Sequence, residues 1–156
     1  MRVMGIHHVT LIADDLDRAA WFYGQVLGLE QIERPAFDVQ GLFFRAGDGQ
    51  EIHITLAARP LTREPLYFQR ADGVEDTARY IHRHVALRIA DLQDFEERLE
   101  QAGITILFSE SRADPNDQLA ANMIAGWRSL YGQVPMVCED PFENMLELLP
   151  FQQGGE

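Results

Sequence analysis

Hydrophobic and polar residues alternate between residues 6 and 12, with His8, Thr10 and Ile12 on one face and His7, Val9 and Leu11 on the other. A period of two is that of a half-buried strand. The period then changes. Leu16, Ala19, Ala20, Tyr23, Val26 and Leu27 fall on one helical stripe, Asp14 or Asp15 can cap it, and Gly28 supplies the stop. Shorter runs predict strands near residues 29–34, 38–46 and 50–57, with a turn at Gly47-Asp48-Gly49.

The succession restarts at His84. Val85, Leu87 and Ile89 form an apolar face opposite His84, Ala86 and Arg88, and a helix capped by Asp91 and stopped by Gly103 carries the stripe Leu92, Phe95, Leu99 and Ala102. His8 and His84, Val9 and Val85, Leu11 and Leu87, Asp15 and Asp91, and Leu16 and Leu92 match at one constant offset, so the chain reads as internally duplicated. A strand is then expected over 104–108, a possible helix from Asp117 to Leu130 without counterpart in the first half, and strands over 134–139 and 145–149 separated by a turn at Asp140-Pro141. The last strands of the halves align as Ile52-His53-Ile54 with Leu146-Glu147-Leu148, the extra 109–132 segment accounting for the longer offset.

The fold expected is α+β, one domain over 1–156, with a first module at about 4–57, a connection at 58–81 and a second module at about 82–150. The connection contains Arg59-Pro60, Glu64-Pro65 and Asp72-Gly73, which break regular structure, and Leu66, Tyr67 and Phe68; it reads equally as a cleft cover or a surface strap.

Composition narrows the function. The 25 acidic and 13 basic side chains give a formal charge of −12, which opposes binding to phosphate backbones, so nucleic acid is not an expected partner. The first residues carry neither a basic region nor a long apolar run, and the single Cys138 cannot close an intramolecular disulfide. A cytoplasmic protein without a membrane span is therefore expected. Cys138 reads as a small buried apolar residue.

Duplication makes His8 and His84 equivalent, and equivalent last strands add His53 and Glu147. Neutral imidazole and carboxylate suit a divalent metal ion such as Zn, Mn, Fe, Co or Ni, with positions left open for water or substrate. Such an ion could act as a Lewis acid on a substrate carbonyl while Glu147, the candidate catalytic residue, moves the adjacent proton. A ferrous ion on three of these ligands could instead hold oxygen and a catecholic substrate. His7 has the opposite parity and His82 precedes the strand, so both read as supporting or surface residues.

These residues resemble the vicinal oxygen chelate superfamily of glyoxalases, bleomycin resistance proteins and extradiol dioxygenases. The resemblance rests on His7-His8-Val9-Thr10-Leu11, Trp21-Phe22-Tyr23-Gly24-Gln25-Val26-Leu27-Gly28-Leu29, Ile52-His53-Ile54, His84-Val85-Ala86-Leu87 and the run from Asp140 to Leu148. It implies two tandem βαβββ modules forming a cupped mixed sheet around a metal site, a homodimer, and His8, His53, His84 and Glu147 at the ligand positions. His53 stands where glyoxalase I commonly has Glu, and Glu143 replaces the glycine expected in the turn before the last strand. Bleomycin-binding members lack the ligands. The resemblance therefore points to a metal-dependent, glyoxalase-like lyase or isomerase acting on a small oxygenated molecule, with an extradiol-type dioxygenase or a non-catalytic small-molecule or antibiotic-binding protein as alternatives.

Overall fold

The structure is a computed structural model that describes residues 5–47, 49–59, 67–69, 75–77 and 84–151. Contacts divide the chain into two compact units, one of Met1–Arg63 with Pro141–Asn144 and one of Glu64–Asp140 with Met145–Glu156.

The first unit runs β1 (His8–Ala13), α1 (Leu16–Ala19), β2 (Glu30–Ile32), β3 (Gly41–Ala46) and β4 (Gln50–Leu56). The sheet order is β1-β4-β3-β2, with β1 parallel to β4 and the other neighbours antiparallel. Asp15 caps α1, its side chain accepting from the Arg18 amide. The helical stripe continues beyond Ala19, but as a π-helix over Ala20–Val26, where the Leu27 amide donates five residues back to the Phe22 carbonyl. The wider π turn rotates less per residue than an α turn. Adjacent Phe22 and Tyr23 are accordingly both fully buried, in a T-shaped pair with Tyr23 also against Phe44. Apolar periodicity cannot separate these two helical forms, which is why the sequence predicts one continuous helix.

The second unit repeats the plan: β7 (His84–Ile89), α2 (Leu92–Gln101), β8 (Ile106–Phe108), β9 (Met136–Glu139) and β10 (Met145–Pro150), in the order β7-β10-β9-β8 with β7 parallel to β10. Asp91 caps α2 through the Gln93 and Asp94 amides, as Asp15 caps α1. β1 and β7 share one alternation of exposure, each ending on a buried residue, Ala13 or Ile89. The two mixed sheets confirm the α+β, two-module βαβββ expectation. Strands 29–34, 38–46 and 104–108 are shorter than their apolar runs, because pairing partners run out before hydrophobicity does. Two further short strands, β5 (Tyr67–Gln69) and β6 (Glu75–Thr77), pair antiparallel. The remaining connection, and with it the cover-or-strap question, lies outside the described residues, as does His82.

The extra segment holds a 3-10 turn (Glu110–Arg112) and α3 (Gln118–Tyr131), capped by Asp117 and ended by Gly132 in the left-handed region. Ala120, Ile124 and Trp127 form its apolar stripe and pack with Phe108, Val134, Val137 and Met145. Its polar anchor is Glu96, which accepts from Ser109, Ser111 and Arg112. Glu143 is the described non-glycine residue with positive φ, at 64°, so the turn expected to hold glycine keeps its left-handed geometry with a glutamate. In the first unit, Asn144 Nδ2 donates to the Ile12 carbonyl at 2.9 Å. No helix among the described residues is long and apolar enough to cross a membrane.

Two predictions follow from this packing and its anchor. Leu146 on β10 is 0% exposed and Leu130 on α3 is 75% exposed. Leu146→Ala is expected to cost about 2–5 kcal/mol in urea denaturation and Leu130→Ala no more than about 0.5; similar small losses in both would contradict the packing assigned to β10. Burial raises the Glu96 pKa, but the bonds from Arg112, Ser109 and Ser111 outweigh it and hold the carboxyl below the usual range. A depressed folded pKa stabilises the fold above the unfolded value and ceases to do so as pH falls through the folded one. Stability should decline from about pH 5 downward, with a flatter acid limb in Glu96→Gln. Superimposable acid limbs would remove Glu96 from the anchor.

Candidate functional site

Because cross-strand partners share a sheet face, the register shows what stands beside each candidate residue. In the first unit His8 is opposite Glu51, Thr10 opposite His53, and Phe43 opposite His53 from the other side. The opposite face, with Ile52, Ile54 and Phe44, is buried. The alternation therefore leaves His8, Glu51 and His53 together on the open face. The ring centroids of His8 and His53 are 4.2 Å apart with planes 13° from parallel, and Phe43 stacks on His53 at 3.5 Å and 6°. His53 Nε2 lies 2.7 Å from Glu51 Oε2, and His7 Nδ1 lies 3.1 Å from His8 Nδ1. The hydrogen bond from His53 holds the Glu51 carboxyl below the usual range, against a smaller opposing effect of burial.

In the second unit the register places Ala86 and Val137 on either side of Glu147, and His84 beside Met145. Relative to the parallel strand pair, Glu147 holds the position that His53 holds in the first unit. His84 Nε2 is 2.9 Å from Glu147 Oε2. Glu147 is only 8% exposed, and its Oε1 is buried without a hydrogen-bond partner among the described residues.

The α3 segment bears directly on that burial. Phe108 is opposite Val137, Val137 is opposite Glu147, and Met145 is two residues from Glu147, so all share the carboxylate's face. The helix packs on these residues and so covers the part of the face next to Glu147.

The pairs His8–His53 and His84–Glu147 are thus formed within their own units. Among the described residues, no group of three or more His, Cys, Asp or Glu side chains has the geometry of a metal site. The donor chemistry of each pair nevertheless fits a divalent ion. His84 Nε2 and Glu147 Oε2, an imidazole nitrogen and a carboxylate oxygen in contact at 2.9 Å, are of the types that bind such an ion. Glu147 Oε1 has no hydrogen-bond partner among the described residues, and a buried carboxylate is costly without one. Glu51 and Phe43 were missed in the sequence, although Glu51-Ile52-His53 carries the two-residue spacing that puts both polar groups on one face. Phe43 had no such local signal, since its place beside His53 depends on the β3–β4 register.

Cys138 lies on β9 opposite Leu146, on the buried face away from Glu147. Burial, with the nearby Asp140 and Glu139 charges, pushes its thiol up to about 12.

The architecture and side chains define a duplicated βαβββ protein with a histidine or a glutamate at equivalent strand positions. The chain belongs to the Glyoxalase/Bleomycin resistance protein/Dioxygenase superfamily, whose family model matches residues 5–148. Solved structures of similar fold include the following three. A protein of the glyoxalase family from Bacillus anthracis is 23% identical, with 97% of this chain and 98% of that one covered and a TM-score of 0.60. The fosfomycin resistance protein FosX from Listeria monocytogenes is 18% identical over 95% and 91% of the chains, with a TM-score of 0.62. Lactoylglutathione lyase from Agrobacterium tumefaciens is 20% identical over 100% of both, with a TM-score of 0.58. Among curated proteins none matches the chain.

The Cys138 thiol should react slowly with a chromogenic disulfide reagent in native protein at neutral pH and rapidly after unfolding in urea. Rapid stoichiometric labelling of the native chain would contradict the burial of β9.

Proposed function

We propose that this chain is a metal-dependent, glyoxalase-like enzyme acting on a small oxygenated substrate by proton transfer, lysis or isomerisation at a carbonyl. In this reading one divalent ion, Zn, Mn, Fe, Co or Ni, has His8, His53, His84 and Glu147 as its ligands. The observation that carries it is the His84–Glu147 pair. An imidazole and a carboxylate are in contact, and the second carboxylate oxygen is buried without a hydrogen-bond partner among the described residues. The stacked His8 and His53, on the corresponding strands of the other unit, support the same reading.

A divalent ion bound by such a set would supply Lewis-acid polarisation of substrate oxygens. The chain's residues have separable tasks. His8, His53 and His84 would hold the ion through neutral ring nitrogens. Glu147 uses Oε2 toward His84 and leaves Oε1 to take a proton from the carbon beside the carbonyl and deliver it to a neighbouring atom. The apolar cluster of α3, Phe108 and Val137 shields part of this face from water, which strengthens the interaction of Glu147 with developing charge. Membership of the superfamily, with a lactoylglutathione lyase and FosX among the structural neighbours, supports a small-molecule substrate. The proposal includes a cytoplasmic homodimer, as the sequence and its resemblance imply.

Elemental analysis of native protein, repeated after removal and replacement of divalent ions, should give about one ion per chain, and Glu147→Gln should lower affinity and turnover together. A wild-type chain that stays empty after repletion would overturn the proposal. Unchanged affinity in His53→Ala would take His53 alone out of the ligand set.

A further inference from the structure

We propose that Glu51 is a positioning residue that fixes the His53 ring as its Nε2–H tautomer and so leaves Nδ1 as the nitrogen available to a ligand. The proposal deepens the metal-dependent reading of the same site and rests on it for the identity of that ligand. A carboxylate can only accept. The 2.7 Å contact between His53 Nε2 and Glu51 Oε2 therefore requires the proton to be on Nε2. In a neutral imidazole the other nitrogen then carries the lone pair.

The surroundings restrict the ring further. Phe43 stacks on it at 3.5 Å with planes 6° apart, and His8 stacks on it at 4.2 Å with planes 13° apart. Contact with two rings opposes tilting of the imidazole out of its plane, while the Glu51 hydrogen bond opposes rotation within it. Glu51 is itself set by the sheet. It stands opposite His8 across β1 and opposite Arg45 across β3, and its two-residue spacing from His53 puts both side chains on one face. Its side chain is 25% exposed and that of His53 is 13% exposed, so water competes only partly for the bond.

A carboxylate that accepts the second N–H of a ligating histidine fixes its tautomer and raises its basicity, and its removal commonly weakens metal affinity by about 10- to 100-fold. Glu51 would thereby act on an ion through His53 without touching it.

The test has two readouts. Long-range proton–nitrogen correlation on metal-free, 15N-labelled protein, at a pH where the imidazoles are neutral, should show His53 as the Nε2–H tautomer in wild type. The same tautomer should persist in Glu51→Gln, whose amide oxygen still accepts, and give way to a mixture in Glu51→Ala. Zinc affinity measured by competition with a chromophoric chelator should fall about 10- to 100-fold in Glu51→Ala and less in Glu51→Gln. An Nδ1–H tautomer in wild type overturns the proposal even if neither variant folds, as does a Glu51→Ala protein matching wild type in both readouts. A wild-type chain that binds no zinc but shows the Nε2–H tautomer, lost in Glu51→Ala, supports the positioning role and refutes the metal reading alone.

Discussion

Parallel pairing of the first and last strands within each unit is the constraint on which the candidate chemistry depends. β1 lies against β4, and β7 against β10, although several elements separate the members of each pair in sequence. Side chains alternate across a strand, so the pairing register decides whether two residues remote in sequence share a face. A slip of one residue in β4 would send His53 to the apolar face and put Ile52 or Ile54 beside His8. The buried face resists that slip: Ile52, Ile54, Leu146 and Leu148 are core residues, and moving any of them outward exposes apolar surface. Hydrophobic burial on one side of each sheet thus positions the polar groups on the other.

Repetition of a framework did not produce repetition of an environment. In the first unit the open-face imidazole is held by a phenyl ring and another imidazole, brought to it by strand register, and by a carboxylate two residues away on its own strand. In the second, the corresponding position holds Glu147, and the neighbouring face is covered by α3. Aromatic stacking favours a defined ring plane, whereas apolar covering withdraws a carboxylate from water. Two copies of one βαβββ plan therefore offer a partly exposed nitrogen donor and a buried oxygen donor.

Much of this was legible in the residues. The shared pattern of His8–Ile12 and His84–Arg88, the Asp15 and Asp91 caps, and the Gly28 and Gly103 stops are local signals, and the two-module fold follows from reading them together. The pairing of Ile52-His53-Ile54 with Leu146-Glu147-Leu148 was also legible, because alternation fixes the facing of both segments, and the sheets place His53 and Glu147 in equivalent register. What periodicity could not give was anything set by neighbours from other elements. The π-helical turn at Ala20–Val26, the Phe43 stack on His53 and the covering of Glu147's face by α3 depend on cross-element packing. The roles of His8, His53, His84 and Glu147 toward a metal stand as a proposal from their chemistry.

The covering of the second sheet also bears on why a carboxylate there should matter. An exposed glutamate can satisfy both oxygens with water, and its charge is then largely screened. Glu147 is buried, and His84 meets one oxygen while the other has no partner among the described residues. Burying a carboxylate is costly unless positive charge and hydrogen bonds offset it, and the cost rises as water is excluded. Trp127, Ile124 and Ala120 help exclude water from this side of the sheet and, by doing so, strengthen the attraction between the carboxylate and a cation placed beside it. Segment 109–132 therefore does more than lengthen the chain: by packing on the carboxylate's own face it makes the residue at 147 electrostatically unlike its counterpart at 53.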